Sequence, residues 1–520
     1  MSKVSVATSF PVLHLDASSS VPLYRQIYEG LRSAILTGKL RPGARLPSTR
    51  EMAKGLMVSR NTVMNAYDQL LAEGYLEGHV GSGTYVTNLL PDDLLHACIS
   101  PGRTLRLSQK RRGFSSLGAI LTTTRVNACA DPSRARPFWP GIPALDSFPA
   151  KTWSRLLSHY WHQPSHELLG YGDPAGYWPL REAIATYLGA ARAVQCSPEQ
   201  VIITAGRQQA FDLVTRVLLN PGDAAWIEDP GYMGARAALL SAGARLIPVP
   251  VDEEGIDVCA GEAQCPDARL AYVSPSHQYP LGLTMSLSRR LALLEWAKRA
   301  GAWILEDDYD SEYRYTGRPL SALQGLDQEG RVIYIGTFSK VMFPALRLGY
   351  MIVPSDKIAH YVTARAILSR FSPMIDQAVL ADFINEGHFE RHIRRMRSLY
   401  KERQDTLVEA LKGGARAFIK VEPDEAGLHL IGWLPEGIGD VEASARAAAY
   451  GVDAQPLSAF SLKREGRGGL ILGYAGYNQQ QIHRAAERLT YALRDLFLLR
   501  GRHAKNVKAS PLSTTERLAS

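Results

Sequence analysis

Val332-Ile333-Tyr334-Ile335-Gly336-Thr337-Phe338-Ser339-Lys340 reads as a buried strand that ends in small polar groups and one lysine. A short apolar run without alternation marks a strand covered on both faces. Four upstream runs share this character: Val201-Ile202-Ile203-Thr204, Ala224-Ala225-Trp226-Ile227, Leu270-Ala271-Tyr272-Val273 and Trp303-Ile304-Leu305. Helical stretches separate most of them. That rhythm predicts a mostly parallel α/β sheet within residues 136–500.

Open α/β sheets bind ligands beyond the carboxyl ends of their strands. Two such ends carry chemistry here. Glu306-Asp307-Asp308-Tyr309-Asp310 follows one strand, and Gly336 to Lys340 follows the next. A carboxylate at that place can hold a heteroaromatic N–H⁺ and keep the ring electron-withdrawing. A lysine at a neighbouring strand end can form a Schiff base with an aldehyde. Thr337, Ser339 and Arg347 are close in sequence and suit a phosphate dianion, the arginine bidentately. Taken singly, the acidic run is better read as a solvated turn or metal site, and the lysine as a surface lysine. Their occurrence on consecutive predicted strands reverses that preference.

Residues 18–88 form a different unit. Leu23, Ile27, Leu31 and Ile35 recur at helical spacing. Ser48 is an N-cap candidate for a short second helix, and Val58-Ser59 opens a third with Val63, Tyr67, Leu70 and Leu71 inward. Tyr75-Leu76 and Tyr85-Val86 flank Gly81-Ser82-Gly83, a hairpin pattern. Helix, turn, helix and a glycine-tipped hairpin make the plan of a winged helix-turn-helix. Ser59-Arg60-Asn61-Thr62 starts the third helix with side chains suited to a major groove and its phosphates. Gly81 and Gly83 allow close approach of the wing to DNA.

Between the two units, residues 89–135 read as a basic linker, with a short helix near Leu117 to Leu121. Residues 501–520 read as a disordered tail. The chain has 520 residues, 46% hydrophobic and 21% charged, and a net charge of +8. Its pI of about 9.1 favours an anionic partner. Five irregularly spaced cysteines fit neither a disulfide framework nor a zinc site and suit a reducing cytoplasm. Met1 to His14 does not read as a signal peptide, and no apolar run is long enough to span a membrane. His388 and His392 have a metal-compatible spacing, but the arginines around them favour a solvated basic face, and no metal is expected.

Leu46 to Ala53, Val58 to Val63 and Leu71 to Leu76 resemble the GntR family of bacterial repressors. The resemblance implies operator DNA as partner, contacted by Arg50, Ser59, Arg60, Asn61, Thr62 and Gly81. Met64 stands where that family often has arginine, so one contact is missing or is supplied by Arg45. Tyr171 to Tyr177, Thr204 to Gln209, Glu228 to Tyr232, Ser274 to Gly282, Glu306 to Glu312, and Thr337 to Lys340 with Arg347 to Tyr350 occur in the order of fold-type I aminotransferases. Together the two halves resemble the MocR (GabR-like) regulators.

That resemblance implies a multidomain chain: the winged helix, then a large mostly parallel sheet domain, then a small α+β C-terminal domain. The implied cofactor is pyridoxal 5′-phosphate (PLP), with Lys340 its Schiff-base lysine and Asp307 at the pyridine nitrogen. Tyr309 is implied at the ring hydroxyl and Tyr232 over or beside the ring. Gly206, Arg207 (by its backbone), Thr337, Ser339 and Arg347 are implied at the phosphate. Tyr171 is implied at the partner subunit's phosphate in a domain-swapped homodimer. The arginine that binds a substrate carboxylate in these aminotransferases is replaced by Ile471, so that clamp is absent unless Arg467 or another residue substitutes. Regulation by PLP or by a small amine or amino-acid effector is therefore expected, with RNA polymerase open as a further partner. The alternative is a working aminotransferase with an accessory DNA-binding domain.

Overall fold

The computed structural model describes residues 13, 15–79, 82–88, 113–123, 136–317, 320–463 and 466–508. The chain divides into two compact units, Met1–Arg112 and Gly113–Ser520.

In the first unit, helix α1 (Leu23–Leu36) buries one stripe formed by Ile27, Leu31, Ala34 and Ile35. Helix α2 (Thr49–Leu56) begins at a reciprocal capping box. Ser48 Oγ accepts from Glu51 N at 3.3 Å, and Glu51 Oε2 accepts from Ser48 N at 2.9 Å. Ser48→Ala removes one half of that exchange. It is expected to destabilise this unit by about 1 kcal/mol, read from urea unfolding of the full chain. Helix α3 (Arg60–Ala72) is capped by Ser59 and buries Val63, Ala66, Tyr67 and Leu70. Strands β1 (Leu76–His79) and β2 (Gly83–Val86) pair antiparallel from Leu76↔Val86 to His79↔Gly83. Gly81, expected at the wing tip, lies outside the described residues.

The second unit is built on a mixed sheet. Among the described residues it comprises β3 (Val201–Thr204), β4 (Ala224–Asp229), β5 (Arg245–Asp252), β6 (Gly255–Ile256), β7 (Leu270–Val273), β8 (Trp303–Asp308), β9 (Val332–Thr337) and β10 (Gly349–Ile352). The order is β3-β10-β9-β8-β7-β4-β5-β6. Strands β5, β4, β7, β8 and β9 run parallel, while β10 is antiparallel to both β9 and β3. Every residue of β3, β4, β7 and β9 is buried, as their unbroken apolar reading requires.

A smaller antiparallel sheet follows, in the order β11 (Lys420–Val421), β12 (His429–Trp433), β14 (Gly469–Gly473), β13 (Gln455–Pro456). It gives the second unit the expected α+β end.

Of the stretch read as a linker, 113–123 are described, and the helix expected near Leu117 to Leu121 is present as Ser116–Thr123, α4. Two expectations change. The C-terminal helix, Gln479–Lys508, continues past residue 500, where a tail was expected; 509–520 lie outside the described residues. His392 is buried rather than on a solvated face, and its Nε2 lies 3.0 Å from the Val341 carbonyl.

Candidate functional site

The parallel strands deliver polar side chains to one end of the large sheet. Asp307 and Asp308 close β8, Thr337 closes β9, and Glu228 and Asp229 close β4. Lys340 follows β9 by three residues and points back over this end, where its Nζ donates to the Gly141 carbonyl at 2.6 Å. A cavity of about 180 Å³ opens there, with Lys340, Arg207, Tyr232, Tyr279 and Tyr309 among its walls.

Asp307 is buried, and its two carboxylate oxygens differ sharply. Oδ2 accepts from the Tyr272 hydroxyl at 2.7 Å and from Arg207 Nη1 at 3.0 Å. Oδ1 is equally buried and has no hydrogen-bond partner. Burial pushes the Asp307 carboxyl up, and Arg207 and Tyr272 partly offset it. An unpaired buried carboxylate oxygen costs several kcal/mol unless a donor reaches it. A ring N–H⁺ supplies that donor and an opposite charge.

Lys340 is also tuned. Burial, then the nearby Arg207 guanidinium, lowers its ammonium to about 8. A lysine attacks an aldehyde as the neutral amine. Covalent loading with PLP is therefore expected to speed up as pH rises through about 8 and to level off above it, not to keep rising to the ordinary lysine range. Stopped-flow absorbance across a pH series checks this.

The phosphate end is assembled from separate segments. Gly206 has φ +93° and is the N-cap of the helix Arg207–Leu218, α5. A Cβ built on Gly206 would sit 3.6 Å from Arg347 Nη1, so the helix N-terminus and the Arg347 guanidinium share one concave corner. Thr337 Oγ1 accepts from Ser339 N at 3.2 Å at the next loop. Backbone N–H groups at a helix start, one guanidinium and two hydroxyls are a suitable donor set for a dianion.

Arg207 was expected at the phosphate by its backbone alone, with no role for its side chain. Its side chain enters the ring half of the site, pairs with Asp307 and lies over Tyr232 at 4.0 Å and Tyr309 at 5.2 Å. Its backbone N–H stands at the first turn of α5, at the phosphate corner. Tyr171 does not join the cavity of its own chain. It is 86% exposed, with Arg370 5.7 Å over its ring.

Several groups in this region carried no role from the sequence. His277 Nδ1 meets the Tyr309 hydroxyl at 2.8 Å and Asp310 at 3.1 Å. Burial opposes its protonation, but Asp310 outweighs it and raises the imidazole. Glu228 accepts from Ser274 N and Oγ and from Gln278, pinning the loop that presents Tyr279. His429 lines the cavity with its Nε2 2.9 Å from the Pro280 carbonyl; burial, then His277, drops it to about 3, so it is neutral. Ser274 to Gly282 was legible as a motif, which was the available signal for His277 and Tyr279.

In the first unit, Arg50, Ser59, Arg60 and Asn61 are exposed and Thr62 half-buried. Ser59 Oγ and Thr62 Oγ1 are 2.8 Å apart, and Arg60 Nε donates to Thr49 Oγ1 at 3.3 Å. Met64 is also exposed, whereas Arg45 lies against Gly83 of the wing, 3.1 Å from a Cβ built there.

Comparison with known proteins matches residues 23–86 to "Bacterial regulatory proteins, gntR family" and residues 146–489 to "Aminotransferase class I and II". The "Probable rhizopine catabolism regulatory protein MocR" of Rhizobium meliloti is 42% identical over 92% of this chain and 96% of its own. The chain belongs to the MocR regulators of the GntR family.

The "HTH-type pyridoxine biosynthesis transcriptional regulator PdxR" of Corynebacterium glutamicum is 33% identical over 79% of this chain and 83% of its own. Among solved structures, kynurenine aminotransferase from Pyrococcus horikoshii matches with a TM-score of 0.65 and 30% identity, covering 76% of this chain and 98% of that one. The α-aminoadipate aminotransferase LysN from Thermus thermophilus, complexed with N-(5′-phosphopyridoxyl)-L-leucine, matches at 0.65 and 29%, covering 74% and 96%. This MocR regulator is thus a DNA-binding protein with an aminotransferase-like domain whose cofactor is PLP. The unpartnered Asp307 Oδ1 and the half-buried Lys340 fit that cofactor.

Proposed function

We propose that this MocR regulator uses PLP as part of a sensor that sets how it binds operator DNA. The observation that carries the reading is the buried, unpartnered Asp307 Oδ1, sharing a site with a lysine lowered to about 8, in a chain that also bears a winged helix. PLP supplies an aldehyde that condenses reversibly with primary amines. Lys340 anchors it, Asp307 holds the ring nitrogen, Tyr309 faces the ring hydroxyl, and Tyr232 lies beside the ring. Gly206, the Arg207 backbone, Thr337, Ser339 and Arg347 bind the phosphate. The effector is PLP itself or a small amine or amino acid joined to it. It must favour one arrangement of the protein over another to regulate anything.

Arg50, Ser59, Arg60, Asn61, Thr62 and Gly81 are assigned to the operator. Ser59 and Thr62 satisfy one another in the free protein, so Arg50, Arg60 and Asn61 carry base and phosphate contact first.

A homodimer completes the site. Tyr171 is exposed beside Phe371, and Ile367 is 79% exposed, so apolar groups stand ready to be covered by a second copy whose cavity Tyr171 would enter. The protein would act in the cytoplasm, with RNA polymerase as the machinery it influences. Among the described residues no helix is long and apolar enough to cross a membrane.

The intact set of Lys340, Asp307 and Tyr309 favours one other reading, a working aminotransferase. Purified full chain, offered PLP, a panel of amino acids and a keto acid, separates the two. The regulator reading expects a PLP-dependent mobility shift of the chain's own upstream DNA and no sustained keto-acid formation. Sustained turnover with no response of the DNA complex to PLP would overturn it.

A further inference from the structure

Arg207, Asp310 and Lys340 are the charged groups lining the cavity, and Arg207 ties it to Asp307. Met233, Phe460, Leu428, Ile142, Gln455 and the neutral His429 also wall it. Behind that wall lies an apolar cluster of Ile431, Leu457, Phe460 and Ile471, against which Met233 and Tyr279 pack. Ile471 is fully buried in β14, in register with Ile431 on one side and Gln455 on the other.

The charged groups of the cavity are already committed. Arg207 pairs with Asp307 at 3.0 Å and is sandwiched near Tyr232 and Tyr309. Asp310 is paired with His277 at 3.1 Å. Lys340 is the anchor. Arg467, the substitute cation named from the sequence, is elsewhere. Its Nε donates to the Leu434 carbonyl at 2.7 Å, and it lines a separate cavity beside Trp433. Among the described residues, no further cation lines the cavity. A carboxylate placed there would be stripped of water and left without a counter-charge, which is costly.

We infer that the cavity above Lys340 selects a primary amine that has an apolar body and carries no carboxylate. This rests on the proposed PLP sensor and narrows its effector. The apolar wall accepts carbon, and among the described residues of one chain no uncommitted cation lines the cavity to balance an anion.

The probes are 2-phenylethylamine and phenylalanine, which differ by the carboxylate alone. The full chain is loaded with PLP, freed of excess cofactor, and titrated with each. Binding is read from the visible absorbance of the bound cofactor and from calorimetric heats, not from turnover. The amine is expected to half-saturate at a concentration lower by about tenfold or more. Ile471→Arg is expected to narrow or reverse that preference by placing a cation behind the wall. Met233→Arg, at the cavity surface itself, makes the same test where a buried arginine at 471 prevents folding. Phenylalanine binding as tightly as the amine would overturn the inference. So would a PLP-coloured protein that responds to neither probe. A chain that takes up no PLP at all would instead remove the sensor reading on which the inference stands.

Discussion

Asp307→Ala is expected to weaken PLP binding by about 100- to 4,000-fold. The carboxylate is buried, and removing one member of a buried ion pair costs about 3–5 kcal/mol, with each 1.4 kcal/mol worth about tenfold. Two effects act together. The ring nitrogen loses the oxygen that now lacks any partner, Oδ1. Arg207 loses the Oδ2 acceptor that holds it 3.0 Å away and is left as a cation beside the ring site. Asp307→Asn keeps the shape and the Tyr272 contact but not the charge, so its loss should fall between those of the wild type and alanine. Equilibrium dialysis with absorbance detection measures this, and far-ultraviolet circular dichroism confirms that the fold survives. Affinity within a fewfold of wild type in both variants would show that the ring nitrogen sits elsewhere.

Arg60→Ala is expected to cost about 1–3 kcal/mol of operator binding, or roughly 5- to 150-fold, while PLP loading is unchanged. Arg60 stands at the first position of α3, exposed, with a single long hydrogen bond to Thr49 to give up. If it reads a base edge, the loss is concentrated on the cognate sequence. If it binds only phosphate, affinity for all DNA falls together and the salt dependence becomes shallower. Unchanged operator affinity would refute the assignment of α3 as the reading helix.

Much of this was legible because local rules agreed with the tertiary outcome. Ser48 and Ser59 mark helix starts by chemistry that needs no long-range partner. The runs at 201–204, 224–227 and 332–335 announce buried strands because both faces are covered. Asp307 and Lys340 stood out because polar groups at the ends of such strands are where this fold class keeps its ligands.

What stayed hidden depends on residues far apart in the chain. Nothing local tells that β10 returns antiparallel between β9 and β3. The Gly141 carbonyl reaches Lys340 from a segment 199 residues away. His277, Tyr309 and Asp310 form one network only once two strand ends are neighbours. The turn of the Arg207 side chain to Asp307 is a packing outcome on Tyr232, invisible in its motif. His392 looked solvated because arginines surround it in sequence, yet the long helix His388–Lys412 turns it inward among residues such as Phe389, Ile393 and Met396.

The most direct test compares wild type and Lys340→Ala in one assay of affinity for the chain's own upstream DNA, with and without added PLP. Borohydride treatment of parallel samples shows which of them carries the cofactor covalently. The expectation is a PLP-dependent change in DNA affinity in the wild type, covalent label at residue 340, and neither in the variant. A wild type labelled at Lys340 whose DNA affinity ignores PLP, or a variant that still responds, would contradict the coupling of cofactor to operator.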